Sequence, residues 1–101
     1  MMQVEGILPV ALKALDGQTE IKSKKIVMRQ MTAIEYIQSQ ADVEADQYIG
    51  IADLVAMTKL IDEDGKEHKI TYDMLGHSSR SNLDYLVEKQ AELKAKEAAA
   101  E

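Results

Sequence analysis

The pair Asp16-Gly17 constrains this chain more than any other two residues. Asp-Gly between two apolar-bearing segments is the strongest short-range hairpin signal, because both central residues of a type I′ turn need positive φ. Val10-Ala11-Leu12-Lys13-Ala14-Leu15 runs into the pair, and Thr19 to Arg29, rich in β-branched residues, runs out of it. The expectation is a β-hairpin over residues 10–29. Pro9 stands at its start, where a missing N–H does least harm. Lys22, Ser23 and Lys24 interrupt the second strand, as at a sheet edge or a bulge. Residues 1–8 carry no clear pattern and are expected to be flexible.

Helical signals take over after the hairpin. Thr32-Ala33-Ile34-Glu35 matches a capping box, in which the Thr hydroxyl takes an orphan N–H and the Glu reaches back. Ile34, Ile37 and Ala41 then recur at helical spacing, predicting a helix over 33–41. A second helix is expected over 44–61, where Tyr48, Ile51, Ala52, Val55, Leu54, Thr58 and Ile61 form a wide apolar face. Asp62 to Lys66 reads as a turn and Glu67 to Ile70 as a short strand. Thr71 caps a short helix over 72–75, and one of Ser78, Ser79 or Ser81 caps a last helix over 80–98. From Lys94 to Glu101 the sequence favours helix but has nothing large to bury, so this tail is expected to project or fray. The predicted fold class is α+β: an N-terminal β-hairpin followed by a small helical bundle with a long C-terminal helix, one domain over 9–93.

Composition narrows the function. The 101 residues suit one modest core, and with no Phe, no Trp and only four Tyr that core must be aliphatic and methionine-rich. Without cysteine there are no disulfides, no thiol catalysis and no thiolate zinc site. No apolar run approaches the ~20 residues that span a bilayer, and Met1 to Leu15 lacks the look of a signal peptide. The expectation is a soluble cytoplasmic protein. The net charge of −6 argues against a general nucleic-acid binder.

No catalytic, cofactor or metal site is expected. Aligning Gly65 to the sixth position of an EF-hand loop puts Leu60 first and Thr71 twelfth, and neither supplies the required ligand. His68 and His77 have no metal-ligand partners at helical spacing. Ser78 fails as a nucleophile elbow, because Arg80 stands where glycine is needed.

What remains are contact surfaces. On the last helix Leu83, Leu86, Val87, Gln90 and Leu93 are candidates, with Leu83, Leu86 and Val87 leaning toward the core and Leu93 toward a partner. On the second strand Lys22, Lys24 and Arg29 form a basic cluster that could meet an acidic partner or guard a sheet edge. Residues 1–30 carry a local charge of +2 on a remainder of −8, an asymmetry that also suits self-association.

The order of features resembles a known family. The Asp-Gly hairpin, a strand ending Ile26-Val27-Met28-Arg29, the capped helix, the apolar stretch Ile51 to Leu60, then Asp64-Gly65-Lys66-Glu67, Ile70 to Leu75 and Ser78-Ser79-Arg80-Ser81-Asn82-Leu83-Asp84-Tyr85-Leu86 follow the pattern of the small Mu-like tail assembly chaperones of long-tailed bacteriophages. The likeness spans about residues 10–95, and Gln30-Met31 stands where a proline is usual. The resemblance implies a non-enzymatic protein of the host cytoplasm, absent from the mature virion. It would bind the tape-measure protein, keep it soluble and help recruit tail tube protein. The alternative is a non-enzymatic phage or bacterial connector module of unknown partner. Neither implies a cofactor, a membrane or nucleic acid.

Overall fold

A computed structural model of the chain describes residues 2–16 and 18–99. The order of elements is β1 (Gln3–Asp16), β2 (Thr19–Arg29), α1 (Ala33–Ala41), α2 (Ile49–Met57), β3 (Thr58–Ile61), β4 (Glu67–Lys69), α3 (Tyr72–Gly76) and α4 (Arg80–Ala99). The fold is α+β. The strands make one antiparallel sheet in the order β1-β2-β3-β4. The expected hairpin forms, but Asp16 is the last residue of β1, opposite Thr19 and without a positive φ, so it is not a central turn residue as expected; Gly17 lies outside the described residues.

The hairpin is longer than its sequence suggests. Residues 3–8, expected to be flexible, continue β1, with Gln3 opposite Arg29 and Val4 opposite Met28. Val4 and Leu8 are buried there, which supplies the reason for order. Pro9 therefore sits inside the strand. The register slips between Ile7 and Leu12, and the extra residues of this bulge absorb the proline's missing N–H. The interruption expected on β2 is thus on β1. β2 is an interior strand only where Ile26, Val27 and Met28 pair with Leu60, Lys59 and Thr58; Lys22 and Ser23 have ladder partners in β1 alone, in keeping with an edge position there.

The expected helix over 44–61 is shortened at both ends. Residues 42–48 form a connection, and Tyr48 precedes α2 without a side-chain cap. At Thr58 the backbone turns extended (φ −115°, ψ 138°) and the chain becomes β3. Thr58-Lys59-Leu60-Ile61 has no strong local preference, and pairing against Ile26–Met28 buries Leu60 completely. Gly65 then takes φ +82° in the turn to β4, the left-handed conformation that glycine adopts at no cost.

α4 covers the sheet, while α1 and α3 pack chiefly on α2. α4 lies antiparallel along β1. Asn82 Oδ1 accepts the Val10 N–H at 3.0 Å, the Tyr85 hydroxyl accepts the Ile7 N–H at 2.9 Å, and Lys96 Nζ donates to Gln3 O at 3.0 Å. Residues 82–96 of a helix rise about 21 Å, and residues 3–10 of a strand span about 23 Å, so the two segments run in step. The segment from Lys94, expected to fray, is helical to Ala99 and is tethered at Lys96. Ala100 and Glu101 lie outside the described residues. The core is aliphatic with methionine, as composition required: Leu8, Ile26, Met28, Leu54, Leu60, Leu86 and Leu93 are fully buried.

Both threonine caps form. Thr32 Oγ1 accepts from Glu35 N at 3.1 Å while Glu35 Oε1 accepts from Thr32 N at 3.0 Å. Thr71 Oγ1 accepts from Met74 N at 3.2 Å, and Met74 Sδ takes the Thr71 N–H. Before α4, the Ser79 hydroxyl accepts the Ser81 N–H.

Candidate functional site

α4 buries Asn82, Leu86 and Leu93 along one line, since 100° per residue returns to nearly the same direction after four and eleven residues. Val87 is one step round from Leu86 and is half exposed. Leu86 is in the core as expected, but the expectation is reversed for Leu93 and Val87. Leu93, expected to face a partner, is in the core beside Leu86, and Val87, expected in the core, faces outward. Leu83 is partly buried against the core.

Val87 and Gln90 share a groove of about 520 Å³ between α4, α2 and α1. Its apolar walls are Met31, Met57, Tyr36, Val87 and Ala91, and its rim carries Asp53, Lys94 and Glu97. Gln90 Nε2 lies 3.5 Å from Met57 Sδ. Gln40 Nε2 donates to Asp53 Oδ1 and ties α1 to α2. Burial holds the Asp53 carboxyl above its ordinary range, and the Gln40 bond offsets this only in part. Unbranched thioethers on two walls let such a groove adapt to apolar side chains of varied shape. Met31, Met57 and Tyr36 were not among the candidate residues, because the start of α1 and the end of α2 meet α4 only in the folded chain.

The basic candidates lie elsewhere. Arg29 makes a bidentate pair with Glu67 at 2.6 Å, and its Nε donates to Gln3 at 2.9 Å. The pair reaches from β2 to β4 across β3, raising the Arg29 guanidinium and lowering the Glu67 carboxyl from their ordinary values. Lys59 shares this face, and burial followed by the nearby Lys69 lowers its ammonium. Lys22 and Lys24 are exposed on β2. Lys22 borders a second cleft of about 540 Å³, against the turn Asp62–Asp64. That cleft is marginally the larger, but its walls are mostly charged, from the start of β2 and the turn Asp62–Lys66. Asp62 accepts from the N–H groups of Asp64 and Lys66 at 2.9 Å each, and its other oxygen lies 2.8 Å from His68 Nε2. The eight candidate residues thus belong to four places, and only Val87 and Gln90 meet in one groove.

Among the described residues no group of three or more His, Asp or Glu side chains is placed to hold a metal ion. His77 caps α3 through its backbone, and Ser78 Oγ donates to Leu75 O. No described helix is long and apolar enough to cross a membrane. Comparisons with protein-family models, with curated proteins and with solved structures find no match.

Proposed function

We propose that this protein is a bacteriophage tail assembly chaperone. It binds the tape-measure protein in the host cytoplasm, keeps it soluble, and helps recruit tail tube subunits before the virion is complete. The observation that supports this is the groove between α1, α2 and α4, walled by Met31, Met57, Tyr36 and Val87. A long helical protein waiting for its tube has apolar faces to shield. A methionine-walled groove suits an amphipathic helix that varies along its length. Many copies along one target give avidity from individually weak contacts.

Co-expression with the tape-measure protein tests the proposal. The chain should increase the soluble fraction of that protein and be captured with it. Val87→Asp puts a charge into the groove at a half-exposed position. It should leave the circular dichroism unchanged and reduce capture. Unchanged solubility together with no captured complex for the wild type would refute the chaperone role.

A further inference from the structure

α1 is the least embedded helix of the fold. None of its nine residues is buried, and α2 is its main neighbour. Its sides differ in character. Tyr36 and Gln40, one turn apart, face the body of the protein: Tyr36 walls the groove and Gln40 binds Asp53 on α2. Ile34, Ile37 and Ala41, at i, i+3 and i+7, share another side. Ile34 is 69% exposed and Ile37 66%, more than any other large apolar residue described. Two isoleucines a turn apart in water form an apolar stripe with no intramolecular partner to explain it.

The charge along that stretch of chain has one sign. From Gln30 to Thr58 there is no Lys or Arg, whereas Glu35, Asp42, Glu44, Asp46 and Asp53 all fall in this stretch. Asp53 is engaged by Gln40. The other four are exposed, Glu35 while closing the capping box. Lys94 lines the groove with Tyr36, on a different side of α1. An apolar stripe on a segment whose only charged residues are carboxylates is complementary to a helix whose apolar stripe is flanked by ammonium or guanidinium groups. The long helix of this same chain is a poor match, because Arg80, Lys89, Lys94 and Lys96 on it are balanced by Asp84, Glu88, Glu92 and Glu97.

We propose that the outer face of α1, built on Ile34 and Ile37 in the acid-only stretch that carries Glu35, Asp42 and Glu44, docks a cationic amphipathic helix of a partner protein. This face is separate from the groove and does not depend on the groove's role. Contact there is driven by burial of the two isoleucines, while the carboxylates select the sign of the partner and make association sensitive to salt.

The test uses the full chain and two synthetic peptides with the same helical leucine pattern, one flanked by lysines and one by glutamates. Fluorescence anisotropy should show binding of the lysine peptide, weakened several-fold by a rise from about 50 to about 150 mM salt, and no binding of the glutamate peptide. Ile34→Ser with Ile37→Ser should lower lysine-peptide affinity at least tenfold while the urea midpoint stays in place, both side chains being exposed. Asp42→Lys with Glu44→Lys should weaken the lysine peptide and admit the glutamate one. Val87→Asp, in the groove, should change neither. Equal binding of the two peptides overturns the proposal, as does full lysine-peptide affinity in the isoleucine double variant. It is also overturned if light scattering finds a self-associated chain that the same double variant dissociates, because the occupant is then a second copy.

Discussion

The Tyr85 hydroxyl accepts the backbone N–H of Ile7 at 2.9 Å and stands over Gly6, where a Cβ would collide with it. Gly6 faces Ile26 across the β1–β2 ladder, and the Lys89 ammonium lies 5.6 Å from the Tyr85 ring centre. The contact joins α4 to the strand it covers.

Gly6→Ala should therefore destabilise the fold, although alanine in a strand ordinarily costs less chain entropy than glycine. The tyrosine must swing aside and release Ile7, at a cost of about 1–2 kcal/mol. Tyr85→Phe alone should cost about 0.5–1.5 kcal/mol. In the double variant the hydroxyl is gone, so the alanine has more room and the two losses should sum to less than their separate values. Urea denaturation of the four proteins measures the coupling.

Leu93 and Val87 should respond in opposite ways to truncation. Leu93 is fully buried beside Leu86, so Leu93→Ala should cost about 2–5 kcal/mol. Val87→Ala, at a half-exposed position, should stay within about 0.5 kcal/mol of the wild type. Equal losses in thermal melts would mean that α4 is rotated from the orientation described.

The Thr58 hydroxyl is completely buried at the start of β3 and has no hydrogen-bond partner among the described residues. Thr58→Val keeps the shape and the β-branch while removing a desolvated polar atom. It should raise stability by about 1 kcal/mol. A lower urea midpoint would show that the hydroxyl has a partner in solution.

Acid should unfold the protein through three carboxylates. Asp62 is lowered chiefly by its bond with His68, Glu67 by Arg29, and Glu35 by the Thr32 backbone N–H. A lowered folded value contributes stability above the ordinary carboxylate range of about 4, and this is lost as pH falls through that range and below. Asp53 has the opposite sign, because burial raises it and the folded state favours its proton. Asp62→Asn should flatten the fall of the thermal midpoint at acid pH. Asp53→Asn should raise the midpoint near neutral pH and steepen that fall.

The Thr32 cap acts on the periphery. α1 contributes no residue to the core, so Thr32→Ala should cost α1 about 1 kcal/mol locally. Amide exchange should quicken across Ala33–Ala41 while the sheet amides and the urea midpoint barely change. A matching loss in the sheet would contradict that independence.

The caps at Thr32 and Thr71, the Asp16-to-Thr19 hairpin and the limits of α1 were legible because each is decided by groups a few residues apart. The line Asn82, Leu86, Leu93 is written in spacings of four and eleven residues, but Val87 beside Leu86 offers an equally apolar neighbouring face. Thr58–Ile61 was not legible, because a helical and an alternating pattern fit those four residues equally until Ile26–Met28 lies beside them. The groove was hidden for the same reason: Met31, Met57 and Val87 meet only when α2 and α4 dock.

Sequence alone determined an α+β chain with an aliphatic, methionine-bearing core, two threonine-capped helices, and an acid-only stretch between Arg29 and Lys59. These follow from local hydrogen bonding, side-chain volume and charge, which need no distant partner. Tertiary structure decided that residues 3–8 are strand, that Leu93 is core and Val87 surface, and that Ile34 and Ile37 face water. Burial is a relation between segments far apart in the chain. The free energy that chooses which apolar residue is covered arises only when those segments meet.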